Sequence, residues 1–362
     1  MYLRSDPPWF AFLIHPRDMS DLLRWKGARL LRQYSASDED FVRKATSMPP
    51  VMGGEVLFGF GALRGELVGV MRMPEQMVGL HGRTSVTEAV RFAADRGARV
   101  VGLGALTAPV TSAGRALLRT VPDGVTITTG NAYTAAVCRH NVVTAAAALN
   151  LGRPARVAVL GATGSVGVPA SHLLVKEGFE VTVIGRNLGR VRAALGDLAG
   201  EAVFAEGLDD LSHADILVVL TSAAEALLTT AHVAAGAIVI DVTQPANIPE
   251  RTYAEFASRG IRVVPGGLVR IPGYRTTYDL ALGDSAVTFA CLAETYLMAR
   301  EGIRDHSVGP PPVELALRME RIAARHGVTP VPLKLSGDAP TQQPGPVTAS
   351  TATHPVEEGR QS

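Results

Sequence analysis

The chain has 362 residues, with Lys+Arg 35 against Asp+Glu 34 for a formal charge of +1, and it is 47% hydrophobic and 19% charged. That length allows two or three domains with sizeable cores, the charge balance provides no global field for nucleic acid or an anionic membrane, and the composition excludes disorder as the overall state. Cys138 and Cys291, the two cysteines, are too few for a disulfide scaffold and wrongly spaced for a structural zinc site; the pair fits a reducing cytoplasm.

The apolar run from Pro8 to Ile14 is at the short limit for a signal-peptide core and reads instead as a first buried strand. Two further strands are predicted over 55–60 and 66–73, a helix over 84–97, and a buried strand from Arg99. A strand through Thr128 then leads by a Gly-Asn turn into a long Ala/Val helix ending near Asn150, with Asn131 as its expected N-cap. From Arg156 strands and helices alternate, the pattern of a doubly wound parallel sheet of Rossmann type. Helices are expected again over 285–300 and 313–326, and a Pro/Thr/Ser/Gly-rich tail is expected to be disordered. The boundaries that follow are an α/β substrate or acyl domain (1–135), a Rossmann NADP-binding domain (136–284), C-terminal helices carrying the candidate nucleophile (285–333) and the tail (334–362). Glu225, His232, Asp241, Asp284 and Glu294 interrupt the most apolar regions, so no transmembrane segment is predicted.

The turn containing Gly161, Thr163, Gly164, Ser165, Val166 and Gly167 follows a predicted strand and opens a predicted helix. In that context its glycines permit the tight turn, the approach of a pyrophosphate, and close packing of helix on strand. The second strand of this sheet ends in Gly-Arg186-Asn187, with no acid for a ribose 2′-hydroxyl and with an arginine suited to a 2′-phosphate, so NADPH is the expected cofactor, with Arg190 and Arg192 as further cations. Thr221, Ser222, Asp241, Pro245 and Gly267 follow later strands at the ligand-binding edge of such a sheet. The nine histidines show no metal-ligand spacing, so no metal site is expected. Either cysteine is a possible nucleophile; Cys138, beside Arg139 and His140, is favoured by electrostatics, and the residues themselves do not separate the two.

The segments from Phe10 to His15, from Ile127 through Asn131 to Cys138 and Arg139, the glycine turn, Gly185 to Asn187, Gly266 to Val269, and Phe289-Ala-Cys291-Leu-Ala-Glu294 together resemble the aldehyde-forming long-chain acyl-ACP reductases over residues 10–330. The resemblance implies NADPH-dependent reduction of a fatty acyl thioester, carried by acyl carrier protein or coenzyme A, to an aldehyde. It makes Cys291 the acyl-accepting nucleophile and leaves Cys138 a packed helix residue. It also suggests an aldehyde-consuming partner enzyme. Asn131 and Thr129 are then candidate oxyanion donors, Glu294 a candidate proton relay, and Phe58, Phe60, Met71, Met73, Met77 and Phe289 candidate walls of an acyl channel. Two other readings use the same nucleotide site: an NADP-dependent alcohol or keto-acid dehydrogenase with inert cysteines, and an NADPH-binding sensor or scaffold without turnover.

Overall fold

The computed structural model describes residues 9–59, 63–221, 228–248 and 250–335. Phe60, Ser222 and the tail beyond Leu335 lie outside the described residues. The first sheet begins with β1 (Phe10–Ile14), whose unbroken apolar sequence suits a strand covered on both faces. Three short helices follow, α1 (Met19–Arg24), α2 (Ala28–Gln33) and α3 (Asp38–Thr46). The sequence reading did not anticipate them, and the structure shows what starts them: the side chains of Asp18 and Ser37 accept from the N–H groups of Asp21 and Asp40, and α3 carries three acids in its first turn and two bases in its last. Then come β2 (Val51–Phe58), β3 (Arg64–Gly69), α4 (Gly79–Asp95), β4 (Val100–Leu103), the single turn α5 (Thr107–Val110), β5 (Thr126–Thr128) and α6 (Asn131–Leu149). β5, β4, β1 and β3 are parallel and β2 is antiparallel to β3.

The second sheet contains β6 (Arg156–Leu160), β7 (Glu180–Ile184), β8 (Ala202–Ala205), β9 (Ile216–Val219), β10 (Ile238–Asp241) and β11 (Arg262–Pro265). Every pairing is parallel and the spatial order is β8-β7-β6-β9-β10-β11, so the strand order reverses between β6 and β9. With helices α7 (Gly167–Lys176), α8 (Leu188–Leu195) and α9 (Tyr253–Ser258) interleaved, this is a doubly wound α/β fold.

The chain then crosses back. After β12 (Leu268–Arg270), strand β13 (Tyr274–Thr276) pairs antiparallel with β2, so a segment within the predicted NADP-binding stretch completes the first sheet. Phe58 anchors the join: its ring stacks on Tyr296 at 4.3 Å and lies 6.2 Å from Tyr274. β14 (Val287–Phe289) replaces the first turn expected of the last helical region, because Val287, Thr288 and Phe289 pair with β12 before helix α10 (Ala290–Arg300) begins. Helix α11 (Val313–Arg325) and β15 (Thr329–Pro330) close the described chain. One continuous apolar cluster joins α6, α10 and α11 to both sheets. Among the described residues, no helix is long and apolar enough to cross a membrane.

Candidate active site

The carboxyl ends of strands from both sheets converge on one cleft of about 760 Å³. From the first sheet come Ile14 at the end of β1 and His15 after it, Gly104 and Ala105 after β4, and Thr129 and Asn131 after β5. The second contributes the turn after β6, Leu220 and Thr221 after β9, Val242, Thr243 and Gln244 after β10, and Gly266 and Gly267 after β11. Cys291, at the start of α10, lies between them.

Thr163, Gly164, Ser165 and Val166 line the cleft just before the N-terminus of α7. Gly161 has φ 91° and packs on the Leu220 backbone, and at Gly167 a Cβ would lie 2.3 Å from the Gly161 carbonyl. At Gly164 an added Cβ would meet the Gly161 oxygen at 3.1 Å and the Leu220 oxygen at 4.0 Å, and Gly164 itself lines the cleft. The three glycines therefore have the separate roles of turn, ligand approach and packing, and the turn fits a dinucleotide pyrophosphate at a helix N-terminus.

Other predicted cofactor residues lie elsewhere. Arg186 is exposed and does not line the cleft, whereas Arg190 does. Asn187 caps α8, its side-chain oxygen accepting from the Arg190 N–H at 2.9 Å. Asp241 is buried and holds the following loop: its carboxylate accepts from the N–H and hydroxyl of Thr243 (3.0 and 2.6 Å) and from the N–H groups of Asn247 (2.8 Å) and Ile248 (3.0 Å). Burial raises its pKa against the pull of those donors. Pro245 is exposed, outside the cleft lining, while its neighbours Thr243 and Gln244 line it. Gly267 lines the cleft, accepts a hydrogen bond from the Ala290 N–H at its carbonyl and donates its own N–H to Asn141, which ties the residue before β12 to the start of α10 and the middle of α6.

The two thiols differ in access. Cys138 is fully buried in the core, and neighbouring Arg139 is taken up by Glu177 (3.1 Å) and Glu320 (2.5 Å), so the cation expected to activate this thiol is engaged elsewhere. Cys291 faces the cleft. Burial pushes both thiols up to about 12, with Glu294 adding to the rise at Cys291.

The turn before α6 is pressed onto Cys291. Gly130, with φ 71°, is its N-cap, and a Cβ there would lie 2.2 Å from the Cα and Cβ of Cys291. Asn131 is consequently the first helical residue and not the cap. It lines the cleft, and among the described residues its side-chain amide has no hydrogen-bond partner. Thr129 is committed: both its N–H (2.9 Å) and its hydroxyl (3.3 Å) donate to the Ser307 carbonyl.

Glu294 sits one turn from Cys291 but does not line the cleft. It is fully buried and accepts from the Thr128 hydroxyl (2.6 Å), the Tyr133 N–H (2.7 Å) and the Ser307 hydroxyl (2.9 Å). The residue expected as a proton relay thus supplies a carboxylate to the N-terminus of α6 and ties α10 to the turn that presents Asn131. Burial raises its pKa, opposed by those donors. Of the candidate acyl-channel residues, Phe289 lines the cleft, while Phe58 and Met77 are packed in cores and Met71 and Met73 pack around α1–α3.

Two further cleft residues were given no role from the sequence: His15, which ends one of the segments that carry the resemblance, and Arg17, which lies outside them. Arg17 is held by both Asp21 oxygens (2.6 and 2.9 Å) and reaches Gln244 across the cleft at 3.3 Å. His15 has its Nδ1 2.9 Å from the Pro16 carbonyl, and its Nε2 accepts from the Leu106 N–H at 3.3 Å; burial lowers its pKa. The signal for both was their place just after a buried strand.

Residues 144–258 match the Shikimate / quinate 5-dehydrogenase family. This supports an NAD(P)-dependent oxidoreductase whose second sheet is a Rossmann-type NAD(P)-binding domain. No curated protein matches the chain. Among solved structures, a thermostable alcohol dehydrogenase from Pyrobaculum aerophilum is 21% identical over 38% of this chain and 39% of its own, with a TM-score of 0.30. An L-alanine dehydrogenase is 17% identical over 63% of this chain and 70% of its own (TM-score 0.32), and the nucleotide-binding domain of glutamyl-tRNA reductase from Thermoplasma volcanium is 18% identical over 35% and 84% (TM-score 0.25). The chain thus spans about two fifths of the length of the alcohol dehydrogenase it matches.

Proposed function

We propose that the protein is an NADPH-dependent reductase that converts a fatty acyl thioester, carried by acyl carrier protein or coenzyme A, to an aldehyde through an acyl group held on Cys291. The observation that carries this reading is that the Cys291 thiol and the glycine turn share one cleft, while the other thiol is sealed in the core. In the first step the Cys291 sulfur bonds to the acyl carbon, the carbon–sulfur bond to the carrier breaks, and the proton lost by Cys291 ends on the departing carrier thiol. Covalent capture replaces one difficult displacement with two easier ones and keeps the acyl group in place as the carrier leaves. The unengaged Asn131 amide supports the oxyanion that develops on the acyl oxygen, and Glu294 fixes that amide's helix against Cys291. Thr163, Gly164, Ser165 and Val166 would hold the dinucleotide's phosphates, and Arg190 a 2′-phosphate, on the opposite wall. When bound, NADPH supplies the hydride that makes the acyl carbon an aldehyde carbon. With a proton taken from solvent the adduct is a hemithioacetal; its collapse breaks the carbon–sulfur bond to Cys291, and the hydroxyl proton passes to the departing sulfur to regenerate the thiol.

The test is incubation with NADPH and acyl thioesters of graded chain length. The expected result is NADPH consumption with release of the matching aldehyde, and an acyl adduct on Cys291 by mass spectrometry when NADPH is withheld. No aldehyde at any chain length rejects the reading, and turnover that survives alkylation of Cys291 points to a dehydrogenase without a covalent intermediate.

A further inference from the structure

We propose that Arg115 is a specificity-determining residue that anchors the phosphate of a phosphopantetheine arm on the thioester substrate. The inference rests on the thioester reading above and adds to it the group that recognises the carrier's arm.

An acyl chain and a thioester carbonyl need no cation, yet the cleft wall carries three arginines. Arg17 is neutralised by Asp21. Arg190 follows the second strand of the nucleotide sheet, at the dinucleotide's end of the cleft. Arg115 remains, and no carboxylate of the described residues pairs with it. Its position places it on the side of the reacting sulfur. The guanidinium lies against Gly309, filling the space of a side chain there: an added Cβ would lie 2.6 Å from its Nε and Nη2. Two residues earlier, the Ser307 carbonyl accepts from Thr129, whose neighbour Gly130 is packed on Cys291. Arg115, Thr129 and Cys291 all line the cleft, and the mostly buried segment from Ser307 to Gly309 connects them from behind.

The loop that carries Arg115 is costly to build. Ala105, Ser112 and Ala113 adopt the left-handed conformation (φ 48°, 54° and 52°) although none is glycine, and all three line the cleft. Backbone of this kind persists only where its surroundings hold it. Here the Thr111 hydroxyl donates to the Thr107 carbonyl at 2.8 Å and accepts from the Gly114 N–H at 3.2 Å, while the Gly309 N–H donates to the Ala113 carbonyl at 2.7 Å. The same bonds fix the base of Arg115 on the cleft wall, with the Ser112 hydroxyl beside it in the loop. A planar, permanently charged fork in that position is suited to a phosphodiester.

The experiment compares one acyl group carried on pantetheine and on 4′-phosphopantetheine, which differ only by the phosphate. In Arg115→Gln, the ratio of kcat/KM for the phosphorylated over the unphosphorylated thioester should fall about tenfold or more, through KM, with partial recovery in Arg115→Lys. An unchanged ratio overturns the proposal, whether or not both rates fall together. Acyl-coenzyme A and acyl-carrier-protein thioesters share this phosphate and should weaken alike; a loss confined to the coenzyme A thioester would put the contact on its adenosine phosphates and overturn the assignment. If the unsubstituted protein turns over neither thioester, the reductase reading fails on its own. Calorimetric titration with 4′-phosphopantetheine against pantetheine then decides the phosphate site: selective binding lost in Arg115→Gln sustains it, and equal affinities sink it.

Discussion

The surroundings of Cys138 and Cys291 form a natural pair. Both thiols lie on helices that pack between the two sheets, and burial pushes both up to about 12. What separates them is the neighbour opposite. Cys138 is sealed within the apolar cluster, whereas Cys291 meets a glycine, whose missing Cβ lets a turn close on it while the residue still lines the cleft. Acidity does not separate the two thiols; access to the cleft does.

The largest test of that contrast is Cys291→Ala, which should lower aldehyde formation at least about a thousandfold in the NADPH assay, while Cys138→Ala keeps turnover and lowers the denaturation midpoint by an amount worth about 1 kcal/mol. Next is alkylation by iodoacetamide. With a thiol near 12, the thiolate fraction of Cys291 rises about tenfold per pH unit, so its labelling rate should climb about a hundredfold from pH 7 to pH 9, with Cys138 labelled only on unfolding. A flat profile would mean a thiolate is already present at neutral pH.

Gly130→Ala should cost about 1–3 kcal/mol in chemical denaturation, because it combines φ 71° with a 2.2 Å overlap on Cys291, and it should slow acylation as well. Glu294→Gln should cost about 1–3 kcal/mol, since a buried acceptor facing the Tyr133 N–H is lost or reversed. The sign of its pH dependence is fixed by the raised carboxyl: the folded chain holds that proton to higher pH than the unfolded chain, so the stability it contributes is present at low pH and is lost as pH rises through the raised value. The melting-temperature gap between the unsubstituted protein and Glu294→Gln should therefore narrow from pH 4 upward. The smallest effect is expected of Arg190→Gln, a roughly tenfold loss in the preference for NADPH over NADH, measured as a ratio of kcat/KM.

The nucleotide sheet was legible because each of its signals is local. A strand, a glycine turn and a helix occupy consecutive residues, and Gly161, Gly164 and Gly167 carry separate constraints that only glycine meets at that spacing. The cleft residues around Cys291 were legible in part: the turn at Gly130 and Asn131 was expected, but its contact with Cys291 joins residues far apart in the chain. Glu294 illustrates the loss. Its helical spacing from Cys291 suggested shared chemistry, yet a helix residue one turn away can point to a different neighbour, and this one points to the start of α6. β13 and β14 are three-residue strands, too short for a period-two pattern to register, and the partner of β13 lies more than 200 residues away.

The return of the chain at β13 has a consequence for synthesis. The first sheet cannot be finished until Tyr274–Thr276 has been made, long after β1–β5 are available, and until then the backbone of β2 has an open edge. An exposed edge of this kind recruits other chains. During translation the half-built sheet must wait through the assembly of the whole second sheet, which makes the strand that arrives last a safeguard against aggregation of the nascent polypeptide as well as a bond between its two lobes.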